Sequence, residues 1–99
     1  MQEPGESPIE TRVGANCNLT FKFPESDREY TGLCLRLGGT EILFKTDQDL
    51  EVGRAIEIRI IPDHYACPAI TAFVEIIQCN LIEKNHYEIS ATIKGIKAR

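Results

Sequence analysis

Between residues 30 and 61, apolar and polar side chains alternate in three short runs separated by glycine-containing breaks. Leu33, Leu35 and Leu37 alternate with Cys34 and Arg36, the period of a half-buried strand. Gly38 and Gly39 break this run, and Ile42, Leu43 and Phe44 resume it. Asp47, Gln48 and Asp49, closed by Gly53, form the next break, after which Ile56, Ile58 and Ile60 alternate with Glu57 and Arg59. The rest of the chain is expected to pair with or pack on this segment.

The flanks repeat the pattern. Cys17, Leu19, Phe21 and Phe23 alternate with Asn18, Thr20 and Lys22, which predicts an amphipathic strand ended by Pro24 and a charged loop. Residues 62–68 lie between two prolines, which cannot sit inside a central strand. Residues 69–79 are the longest apolar run, and Ile70, Thr71, Val74, Ile76 and Ile77 favour a strand buried on much of both faces. Residues 80–86 read as a polar loop, and Tyr87, Ile89, Ala91 and Ile93 as a last strand ending near Gly95. Six strands with regular turn signals and no helical period predict an all-β fold, an antiparallel β-barrel of about six strands whose closure removes exposed edges. Residues 1–10, with two prolines and a glycine, are expected to be a flexible tail, leaving residues 11–99 as one domain.

Composition narrows the partners. Eleven basic against fifteen acidic residues give a net charge of -4 in 99 residues, which argues against a phosphate-tracking surface and so against a nucleic-acid polymer. A small anion remains compatible, because one or two local arginines suffice for it. No apolar stretch approaches the roughly 20 residues of a membrane span, and residues 1–8 carry no secretory core. The expected location is the cytoplasm. Cys17, Cys34, Cys67 and Cys79 are widely spaced beside apolar runs, and the reading for them is buried reduced thiols.

The order of elements resembles the PilZ domain, a bacterial six-stranded barrel that reads cyclic di-GMP. The stretches that carry the resemblance are YTGLCLRLGGTEILF (30–44), LEVGRAIEIRI (50–60), AFVEIIQC (72–79) and HYEISATIKGI (86–96). In that family an RxxxR motif before the first strand clamps the phosphates, and a [DN]xSxxG motif completes the site. Here Arg12 fills the second arginine while Pro8 stands at the first. The second motif falls on residues 36–41, with Arg36, Gly38 and Glu41 at its three defining positions and Gly39 inside it. None of those three matches. Charge-assisted hydrogen bonds contribute about 1.5–3 kcal/mol each, so losing three removes roughly 5–8 kcal/mol. Micromolar binding is worth about 8 kcal/mol, so the usual geometry would bind more weakly than millimolar.

The resemblance therefore implies a non-enzymatic signalling or assembly adaptor in the cyclic di-GMP, type IV pilus or motility network. It would act through protein contacts and need no cofactor. The alternative is a cyclic di-GMP receptor that uses Arg12 and Arg36 in altered geometry, with Gly38 and Gly39 beside them. Tyr65, between prolines, and Leu81 and Ile82, in the polar stretch, are candidate anchors for a protein partner; tucking over a barrel end is the other reading. No catalytic group is expected, because no orienting third residue accompanies His64 and Cys67. Nor is a metal site: Cys67 and Cys79 bracket a strand that would hold them about 30 Å apart.

Overall fold

The computed structural model describes residues 17–61 and 70–98. It contains β1 (Cys17–Lys22), β2 (Tyr30–Leu37), β3 (Glu41–Thr46), β4 (Ala55–Ile61), β5 (Ile70–Glu83) and β6 (His86–Ala98), with no helix among the described residues. All neighbouring strands are antiparallel, and the order β1-β2-β3-β6-β5-β4 closes on itself through β1 and β4. The fold is the all-β, six-stranded antiparallel barrel that the alternation predicts.

Closure follows from which residues face inward. Leu19 and Phe21 of β1, Ile42 and Phe44 of β3, and Ile56, Ile58 and Ile60 of β4 are buried, as are Ala72, Val74 and Ile76 of β5 and Ile89 and Ala91 of β6. Each set recurs at a spacing of two, so each strand gives one face to a single core. Thr46 is the buried polar exception among the described residues, and its hydroxyl donates to the Thr31 carbonyl at 2.9 Å.

The inward face of β2 differs from the leucine alternation. Gly32 lies opposite Leu19 and Cys34 opposite Cys17, so Cys34 is fully buried while Leu33 and Leu35 are only half-buried. A bulge between Cys34 and Arg36 then shifts the register, and Leu37 packs against the core. Gly32 is required here: a Cβ would stand 2.8 Å from the Lys45 carbonyl oxygen and 3.0 Å from Leu19 Cδ1.

β5 also departs from expectation. It is buried on one face, not two, since Phe73, Glu75 and Ile77 point outward from Ala72, Val74 and Ile76. It runs on to Glu83, so Leu81 and Ile82 lie in a strand where a polar loop was expected. β6 likewise continues past Gly95. Both extensions have one cause, the long β5–β6 pairing, which supplies the backbone hydrogen bonds a loop would lack.

The two ends of the barrel differ. The first, the Gly38 end, holds the β2–β3 turn, the start of β1 and the end of β4. The other, the Leu50 end, is crossed by residues 47–54, because β3 and β4 are not neighbours in the barrel. Leu50 from this crossing is 3% exposed and plugs the core. Gly53, at φ 95°, turns the crossing down so that its N–H donates to the Ile76 carbonyl at 2.7 Å, and the Ile76 N–H donates to the Arg54 carbonyl at 2.9 Å.

Candidate functional site

Of the residues singled out as ligand contacts, Arg12 lies outside the described residues, as does Tyr65 among the partner anchors. The structure gathers the rest of the ligand set at the Gly38 end. Arg36 is exposed opposite Leu43 on β3, and the Gly38 N–H donates to the Glu41 carbonyl at 2.9 Å, closing the turn. The Thr40 carbonyl accepts from the Ile93 N–H at 2.8 Å, which ties the turn to β6. Gly39 faces open space. The chain enters β1 at Cys17 on this same end.

Two grooves lie elsewhere, on the outer wall. One of about 310 Å³ runs over β1, β2 and β3, where the register aligns Asn18, Leu33 and Lys45, and ends at Asp47 and His86. A second, of about 30 Å³, lies between Thr20, Lys22, Glu57 and Arg59. Neither is lined by Arg36, Gly38 or Gly39. Lys45 and Asp47 both line the larger groove, so its charge is mixed and selects for no strong anion.

Among the described residues, β5 carries the largest share of exposed large apolar side chains. β4 pairs with β5 only as far as Glu75, and β3 with β6 only from Tyr87 onward. From Gln78 to Glu83, β5 pairs with β6 alone among the described strands, so β5 overhangs the Leu50 end with its β4-facing edge open, while β6 stays paired with β3 as far as Tyr87. Six residues of strand reach about 20 Å. Of the seven large apolar residues exposed among the described residues, four are on β5: Phe73 (41% exposed), Ile77 (43%), Leu81 (63%) and Ile82 (46%). Leu81 and Ile82 therefore do not tuck over the barrel end. Phe73 and Ile77 escaped sequence reading because a run of apolar residues looks two-sidedly buried until its neighbours are known.

Polar and aromatic contacts line the Leu50 end. The Arg54 guanidinium lies 4.3 Å from the centre of the Phe23 ring and pairs with Glu25 at 2.6 Å. Phe23 meets Tyr30 edge-on at 5.9 Å. The Cys79 thiol donates to Asp49 Oδ1 at 3.7 Å. On the tip, His86 Nδ1–H donates to the Lys84 carbonyl at 3.1 Å, and Asn85 takes the left-handed conformation at φ 62° that the turn needs. Lys94 pairs with Glu75 at 3.5 Å on the outer wall, between Phe73 and Ile77.

Cys17 and Cys34 are buried, as expected, whereas Cys79 is only half-buried, and neither Cys34 nor Cys79 is activated as a catalytic nucleophile. Burial, with a smaller effect from Cys17, pushes Cys34 up to about 11. Burial and then the Asp49 carboxylate also raise Cys79, against a hydrogen bond from the Leu50 backbone that lowers it. Little thiolate is present at neutral pH in either case. His64 and Cys67 lie outside the described residues, and no three His, Cys, Asp or Glu side chains are grouped to hold a metal ion among the described ones. No helix of the described residues is long and apolar enough to cross a membrane.

Compared with known proteins, the chain matches no protein-family model, no curated protein and no solved structure.

Proposed function

We propose that this barrel is a non-enzymatic, PilZ-like adaptor that acts by protein–protein contact, with the β5–β6 overhang as its docking surface. Its setting is the cytoplasmic cyclic di-GMP, pilus or motility network that the family pattern implies. The observation that carries the reading is the concentration of exposed apolar side chains on β5, with Leu81 and Ile82 on a stretch of strand that only β6 pairs. Exposed aliphatic residues on such an edge suit a partner that lays an extended segment alongside it: backbone hydrogen bonds supply affinity, and side-chain contacts supply selectivity. The raised pKa of the Cys34 and Cys79 thiols and the departures at Arg36, Gly38 and Glu41 from the dinucleotide motif favour contact over catalysis or ligand sensing.

Burying an aliphatic side chain contributes about 1.5–3 kcal/mol. Replacing Leu81 and Ile82 together by lysine is therefore expected to weaken partner binding at least about 100-fold. Affinity capture from the source cells with the wild type and with Leu81→Lys/Ile82→Lys tests this. The reading requires a protein retained by the first and lost by the second, and equal retention overturns it. The competing reading, a cyclic di-GMP receptor through Arg12 and Arg36, requires a calorimetric dissociation constant below about 10 µM that Arg12→Ala/Arg36→Ala abolishes.

A further inference from the structure

Cys17 and Cys34 are 17 positions apart in the chain, and the β1–β2 register sets them directly opposite each other. Both point into the barrel at the Gly38 end: Cys17 is 7% exposed and Cys34 fully buried. Directly opposed residues of antiparallel strands have Cα atoms about 4.5 or 5.5 Å apart, depending on the hydrogen-bond class of the pair. Disulfides span Cα separations of about 4.4–6.8 Å, so either class can be bridged. Their Cβ atoms start about 4.5–5.5 Å apart, however, against about 3.8 Å in a typical disulfide. The strands must draw together to close the bond. Such a bond forms under an oxidant and opens readily to thiols.

We propose that Cys17 and Cys34 form a reversible cross-strand disulfide when the protein meets hydrogen peroxide, stapling β1 to β2 where the chain enters the barrel. The two thiols carry distinct roles. Cys17, the more exposed of the pair and the first residue of β1, takes the oxidant. Its sulfur attacks one peroxide oxygen, an S–O bond forms as the O–O bond breaks, and the displaced hydroxide leaves as water with the thiol proton. Cys17 is then a sulfenic acid. The Cys34 sulfur next attacks the Cys17 sulfur, giving up its proton; the S–S bond forms, the S–O bond breaks and a second water leaves. In total two thiols and one hydrogen peroxide give one disulfide and two waters. Cys34 needs no access to solvent, because its attack is internal. Its raised pKa slows this second step without blocking it, because the sulfur gives up its proton as it attacks.

Cys79 does not enter this pair. It sits at the opposite end of the barrel, donating to Asp49.

The test uses the full chain, treated in its folded state with hydrogen peroxide, blocked with N-ethylmaleimide and digested with trypsin. The expected product is a cross-link between the tryptic peptides 13–22 and 29–36, lighter by two hydrogens than their sum and cleaved by dithiothreitol. Thiol titration in urea should fall from four thiols per chain to two. In Cys34→Ser the sulfenic acid on Cys17 has no resolving sulfur, and dimedone should label peptide 13–22. The wild-type digest needs no variant to fold. The proposal is overturned if Cys17 and Cys34 remain reduced while other cysteines oxidise, if the linked peptides come from two chains, or if the link forms only after unfolding.

Discussion

Gly32 shows how one position fixes the approach of two strands. Its missing side chain lets β2 lie against the Lys45 carbonyl and Leu19, and because the nearer obstacle is backbone it cannot rotate away. Gly32→Ala is expected to destabilise the barrel by about 2 kcal/mol, read as a lower urea midpoint at unchanged slope. Cys34 makes a second prediction, through pH. Its thiol ionises near 9.0 when solvated and is pushed up to about 11 in the fold, so the neutral form is favoured inside the barrel. Below pH 9 this contribution is fully present. As pH rises from 9 towards 11 the unfolded chain loses the proton first, and stability falls by about 2–3 kcal/mol at 1.36 kcal/mol per pH unit. Under reducing conditions, the urea midpoint of the wild type should drop more steeply across that window than that of Cys34→Ala. Parallel curves would contradict the assignment.

At the scale of elements, most strands were legible and their limits were not. Period-two alternation gave β1, β4 and β6 with the correct residues inside, because one apolar face is what a barrel wall demands, whereas the unbroken run Ile42, Leu43 and Phe44 gave β3 without its face. It misplaced the face of β2, where leucines outnumber the residues that actually point inward; a single bulge after Cys34 lets both Cys34 and Leu37 meet the core. It shortened β5, because Asn80, Glu83 and Lys84 read as loop while the long partner strand β6 keeps the backbone paired. Leu50 gave no periodic signal at all, since its burial comes from a crossing that only the strand order requires. The overhang is also where stability and function should separate. Leu81 and Ile82 are exposed, so Leu81→Lys/Ile82→Lys should leave the urea midpoint within about 0.5 kcal/mol of the wild type while partner binding is lost.

The whole molecule is a closed barrel with dissimilar ends. Closure leaves no edge along the wall among the described strands, so an unpaired strand edge can occur only where a strand outruns its neighbour, as β5 does beyond Ile76. The Gly38 end assembles Arg36, Gly38 and Gly39 at the entry of β1, and the Leu50 end is plugged and carries the apolar overhang. Fold class could be read from the chain because alternation is local. The exposed apolar strand was only partly readable: Leu81 and Ile82 stood out as apolar residues in a polar stretch, whereas Phe73 and Ile77 became visible only once β4 and β6 were seen to flank β5. With an overall charge of -4, association is expected to rest on this apolar strand more than on electrostatic steering.

The most direct measurement is photo-cross-linking in the source cells from a photoreactive residue placed at position 81, with position 36 at the opposite end as the comparison. The adaptor account predicts a covalent adduct with a second protein from position 81 and none from position 36. An adduct from position 36 alone would contradict it and move the working surface to the Gly38 end.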